Sequence, residues 1–154
     1  MRLSESYLRA PQKFALVAGE PSGDLLGSNL IRHLKKIYPD AAFIGIGGPS
    51  MIEAGLESLY PMERLSVMGL IEPLKRGFEL LKLRRLLKLE FSNNPPDVFI
   101  GVDAPDFNLN LEKHLKQKGI PTVHYVSPTI WAWRPGRINT MRQAATHTLL
   151  LFPF

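Results

Sequence analysis

From near its start to its last residues the chain alternates between two kinds of segment. Short apolar runs end on glycine or a polar turn, and longer stretches carry apolar residues at helical spacing. This alternation restricts the fold more than any other feature, because strands separated by helices assemble into a parallel sheet through right-handed crossovers. Residues 14–18 form such a run, closing at Gly19, with no polar residue interleaved; a strand buried on both faces has this appearance. Residues 22–38 follow with Leu26, Leu30, Leu34 and Ile37 on one face. Ser22 is the expected cap, Asp24 suits the positive helix start, and Pro39 ends the helix.

The pattern then repeats. Residues 42–46 read as a strand, residues 50–54 as a short helix, and residues 58–60 as a brief strand. The leucine-rich segment 65–91 reads as two helical pieces broken around Pro73 and Gly77. After the turn Asn94-Pro95-Pro96, residues 97–102 form the clearest buried strand. Residues 106–118 are expected to be helical, with Phe107, Leu111 and Leu115 aligned and Gly119 and Pro121 as the stop. A strand at 122–126, a helix at 137–145 and a strand at 148–151 complete the series. The expected fold is a Rossmann-like α/β domain, a parallel sheet with helices on both faces, over residues 14–154, preceded by a loose leader at 1–13.

Composition narrows the class without choosing a function. Hydrophobic residues are 45% and charged residues 21% of the 154, the balance of a globular domain rather than a disordered tail. With no cysteine, disulfides and thiolate metal sites are excluded. The net charge of +5 favours anionic partners, whether nucleic acid, phosphorylated metabolite or membrane. No histidine pair has metal-ligand spacing with a supporting carboxylate, so no metal and no other cofactor is expected. The chain stops on Leu151-Phe152-Pro153-Phe154, directly after a strand, and is expected to lack a continuation.

In open α/β sheets ligands gather beyond the carboxyl ends of the strands. Three loops are expected there. Gly19-Glu20-Pro21-Ser22-Gly23-Asp24 leads into a helix start able to receive an anion, although it matches neither dinucleotide nor P-loop patterns; the alternative is a tight turn with a cap. Asp103, in Asp103-Ala104-Pro105-Asp106-Phe107-Asn108, ends the strongest strand. It is either a proton acceptor at the cleft mouth or a turn residue, while Asp106 is expected to cap the next helix. Trp131, Trp133 and Arg134 lie in the third loop, which begins at Ser127, and serve as a stacking platform or as a roof on the core.

Segment 65–89 mixes Val67, Met68, Leu70, Ile71, Leu74 and Phe78 with Lys75, Arg76, Lys82, Arg84, Arg85 and Lys88. One buried stripe accounts for much of its second half. The apolar groups from Val67 to Phe78 point in too many directions for a single stripe and are expected to contact an anionic membrane surface.

Taken together, these motifs resemble a known family. Val17 to Asp24, Gly48-Pro49, Val67-Met68-Gly69, Gly101 to Asn108, His124 to Pro128 and Trp131 to Arg134 are similar, in order and spacing, to lipid-A-disaccharide synthases. The resemblance implies the N-terminal half of a two-domain, GT-B-type glycosyltransferase from Gram-negative bacteria. Such an enzyme transfers diacylglucosamine from UDP-2,3-diacylglucosamine to 2,3-diacylglucosamine 1-phosphate and inverts the anomeric centre. It further implies that Asp103 is the general base and that Gly19, Glu20, Ser22, Gly23, Asp24, Asn108, Ser127, Trp131 and Arg134 bind substrate. By the same resemblance the protein is cytoplasmic and peripheral on the inner membrane, does not bind nucleic acid, and is inactive or nearly so without the second domain. Two other readings of the residues remain: a non-catalytic lipid-binding module, and a soluble nucleotide-binding Rossmann domain.

Overall fold

A computed structural model describes residues 9–66, 73–126 and 146–150. The elements run β1 (Lys13–Ala18), α1 (Pro21–Ile37), β2 (Ala42–Ile46), α2 (Pro49–Ala54), β3 (Leu56–Ser58), α3 (Glu63–Ser66), α4 (Pro73–Asn93), β4 (Val98–Val102), α5 (Pro105–Gln117), β5 (Thr122–Val126) and β6 (His147–Leu150). The six strands form one sheet in the order β3-β2-β1-β4-β5-β6. Every pairing is parallel. The order reverses between β1 and β4, so the crevice beyond their carboxyl ends is the topological switch point.

Side-chain alternation along β1 explains the two cores. Phe14, Leu16 and Ala18 face Ile31 of α1 and Met51 and Ala54 of α2. Ala15 and Val17 face Leu83, Leu87 and Phe91 of α4 and Leu111 and Leu115 of α5. Because both faces are covered, an uninterrupted apolar strand is the favourable composition. Leu83, Leu87 and Phe91 recur every fourth residue and are fully buried. Each contributes on the order of 2 kcal/mol. The Phe91 ring meets Phe99 of β4 at 5.9 Å between centroids.

Several expected boundaries move, each for a local reason. Both α1 and α5 begin on a proline one residue before the expected start, with Glu20 and Ala104 in the cap positions and no side-chain cap bond at either. Ser22 and Asp106 are therefore not the caps: proline's fixed φ suits the first helical position, where its missing N–H costs nothing. β3 ends at Ser58 rather than Tyr60. α4 begins at Pro73 and runs unbroken through Gly77, where an added Cβ would meet nothing within 4 Å, so the glycine weakens the helix without ending it. The expected leader overlaps the sheet. Lys13 opens β1, and the amides of Gln12 and Lys13 donate to Asp97 Oδ2 at 2.8 and 3.0 Å. The expected helix at 137–145 lies outside the described residues.

Candidate active site

The carboxyl ends of β1 and β4 bring the first two candidate loops together. Gly19 is buried, and a Cβ built on it would stand 3.4 Å from Ala104 Cβ. At Gly23 a Cβ would lie 3.4 Å from the Val102 carbonyl, so the start of α1 seats closely on the end of β4. Glu20 and Ser22 are exposed at the rim. A cleft of about 190 Å³ opens between Gly19, Glu20, Leu65, Arg84, Asp106 and Phe107. On its wall Arg84 donates to the Asp106 carbonyl at 2.9 Å and lies over the Phe107 ring, 5.2 Å from its centroid.

Asp103 occupies the turn out of β4. Its backbone φ is +55° and that of Ala104 is +44°, the left-handed region that costs a non-glycine residue roughly 1 kcal/mol. Aspartate tolerates it better than most, and two anchors hold the turn. The Asp103 amide donates to the Tyr125 carbonyl at 2.7 Å. The Asn108 side-chain amide donates to the Asp103 and Val17 carbonyls at 2.8 and 3.0 Å. Asp103 is 8% exposed, and its Oδ1 has no hydrogen-bond partner among the described residues. Burial pushes its carboxyl above the usual range, and the Glu20 charge pushes in the same direction; the Ala104 amide and His124 pull it back. Such a carboxyl is a better proton acceptor than a solvated aspartate.

Two residues expected to bind substrate have other partners. The Asp24 carboxylate is buried and accepts from the amides of Gly48, Ser50 and Met51 at 3.0, 3.0 and 2.9 Å, serving the start of α2 rather than its own helix. Asn108 is fully buried, so its role is to hold the Asp103 turn against β1. Ser127, Trp131 and Arg134 lie outside the described residues, as do Val67, Met68, Leu70 and Ile71. Leu74 and Phe78 are described, and they are 76% and 72% exposed on α4.

The sequence reading missed Glu112. This acid sits on the apolar face of α5 beside Leu111 and Leu115, fully buried, with Oε1 2.6 Å from His124 Nδ1. The only signal in the sequence was an acid beside the apolar positions Leu111 and Leu115 of a helix; its partner in β5 was not legible there.

With this geometry in view, the comparisons with known proteins are specific. The lipid-A-disaccharide synthetase family profile matches residues 14–154. The chain belongs to that family. It is 57% identical over 143 residues to the lipid-A-disaccharide synthase of Saccharophagus degradans, covering 93% of this chain and 37% of the relative. Against the Methylobacillus flagellatus synthase it is 61% identical over 139 residues, covering 90% and 37%. For Alteromonas mediterranea the figures are 56% over 144 residues, 94% and 38%. The chain thus spans less than two-fifths of the curated relatives it matches. A solved structure, the glycotransferase of kitacinnamycin, is similar at TM-score 0.48 and 17% identity over 76% of this chain and 31% of that one. The Rossmann-like assignment rests on the strand order and not on that likeness.

Proposed function

We propose that this chain is the acceptor-side portion of a lipid-A-disaccharide synthase of GT-B type. In this reading the acceptor, 2,3-diacylglucosamine 1-phosphate, enters the crevice between the Gly19 and Asp103 loops. Asp103 accepts the proton of its 6-hydroxyl as that oxygen attacks the anomeric carbon of UDP-2,3-diacylglucosamine, and UDP departs from the opposite face with inversion. The observation that carries the reading is the desolvated Asp103 carboxyl at the switch point of the sheet, with one oxygen unpartnered among the described residues.

Most of the donor and the leaving diphosphate would be held by a second, nucleotide-sugar domain, so the chain alone is expected to turn over slowly or not at all. Stabilisation of the departing charge is a large share of catalysis. Membrane residence of both substrates fits the exposed Leu74, Phe78 and Leu81 beside Lys75, Lys82 and Arg85 on α4, which would rest on the anionic inner face of the inner membrane. Among the described residues no helix is long and apolar enough to cross a membrane.

The test is a chimaera in which this chain replaces the matching part of the Methylobacillus flagellatus synthase. Asp103→Ala in that chimaera should lower kcat by about 10² to 10⁴-fold with the fold intact. Turnover within threefold of the parent would remove Asp103 as the base.

A further inference from the structure

Four of the buried side-chain atoms that lack a hydrogen-bond partner among the described residues belong to one cluster: Asp103 Oδ1, Asn108 Oδ1, Glu112 Oε2 and His124 Nε2. These residues come from three consecutive elements. Asp103 follows β4, Asn108 and Glu112 lie one turn apart on α5, and His124 is in β5. The parallel register pairs His124 with Gly101, two residues before Asp103. Buried polar atoms are nearly always satisfied in native proteins, so four atoms without a partner among the described residues at a single place mark where further polar groups would bind.

The backbone is shaped to admit the pair. A Cβ at Gly101 would collide with Glu112 Oε1, and it would also stand 3.0 Å from Asn108 Cβ. Glycine in the middle of a strand costs stability, and here its missing side chain is the space through which Glu112 reaches His124. Glu112 and His124 are each fully buried and 2.6 Å apart, within hydrogen-bonding distance.

We propose that Glu112 and His124 are positioning residues for Asp103: Glu112 fixes the ring through Nδ1, and the fixed ring, with Asn108 one turn earlier on α5, sets the surroundings of the Asp103 turn. The inference rests on the reading of Asp103 as the general base, and it adds two residues that do not touch substrate. The charges around the cluster permit this arrangement. Glu20, at the end of β1, opposes ionisation of Asp103, while His124, from β5, favours it. Burial pushes the Glu112 carboxyl up, and His124 opposes that push. From α4, Arg84 and Lys88 are engaged with the Asp106 carbonyl and with Asn110 on the outer side of α5. On α5 itself, Asp106, Lys113 and Lys116 are exposed and His114 is half-buried.

A carboxyl-observed NMR titration of the chain, labelled at aspartate and histidine and assigned with Asp103→Asn, tests the pair directly. His124→Gln should move the Asp103 midpoint upward by about one pH unit, because the ring favours the ionised carboxylate, and Glu112→Gln should move it measurably from the parent value, because the ring is no longer held. A midpoint unchanged in both folded variants overturns the proposal. Should neither variant fold, the parent decides: a His124 ring doubly protonated across the pH range where Asp103 ionises supports the pair, and a neutral ring throughout overturns it. In the chimaera, His124→Gln should shift the acid limb of kcat upward by the same amount and leave KM within twofold. An Asp103→Asn chimaera that retains turnover sinks the base assignment alone, since the shift in midpoint is read without catalysis.

Discussion

Asp24 and Asp103 are both acids near the carboxyl edge of the sheet, 5% and 8% exposed, yet their surroundings are opposite. Asp24 accepts three backbone amides at the start of α2, and the positive end of that short helix faces its carboxylate. Asp103 has left-handed backbone geometry, a neighbouring acid and one oxygen without a partner among the described residues. The comparison separates an acid that stabilises the fold from an acid that the fold stabilises only in part. The first kind ties loops together. In the proposed reading the second keeps binding capacity for a reacting group, at a cost in stability.

Removing Asp24 should have the largest effect on stability. Asp24→Ala orphans the amides of Gly48, Ser50 and Met51 in a buried setting and should destabilise by about 3 kcal/mol in denaturant unfolding. A loss under about 1 kcal/mol would break the contrast by showing that water replaces the carboxylate.

Gly101→Ala comes next. The added methyl must displace Glu112 or the strand, so a loss of about 2 kcal/mol is expected. The same melt carried out on Gly101→Ala with Glu112→Ala should show part of that loss recovered, which locates the collision at Glu112.

Asp103→Asn should have the opposite sign, raising stability at neutral pH by about 1 kcal/mol while lowering activity in the chimaera. The pH dependence follows from the direction of the shift. The folded carboxyl titrates above its unfolded value, so the native acid favours folding at low pH and loses that contribution as pH rises through its folded midpoint. The gain from asparagine should accordingly shrink as the pH falls. A gain that is flat with pH would mean that the Asp103 charge is not the cause.

The smallest effect on folding belongs to the outer face of α4. Leu74→Asp with Phe78→Asp should change stability by less than about 0.5 kcal/mol, since both side chains are more than two-thirds exposed. Co-sedimentation with phosphatidylglycerol-containing vesicles should fall several-fold. Unchanged sedimentation would remove this face from the membrane reading.

Local pattern was sufficient for most of the architecture. The apolar runs at β1, β2, β4 and β5 and the leucine spacing of α1 and α5 specified a covered parallel sheet, because period and composition act over a few neighbouring residues. The same logic placed Asp103 at a strand end, and the family followed from the order of motifs. Helix starts were missed by one residue at α1 and α5, where a proline competed with a polar cap. The break expected at Gly77 did not occur, because α4 is held to the sheet by Leu83, Leu87 and Phe91, a long-range effect.

What tertiary structure alone decided is the partnership of polar groups. Asp24 bonds to residues 24 to 27 positions away, and Glu112 meets a histidine across an element boundary. Burial, through the field and desolvation it imposes, determines whether such a group serves as glue or as chemistry, and it exists only once β4, β5 and α5 have packed.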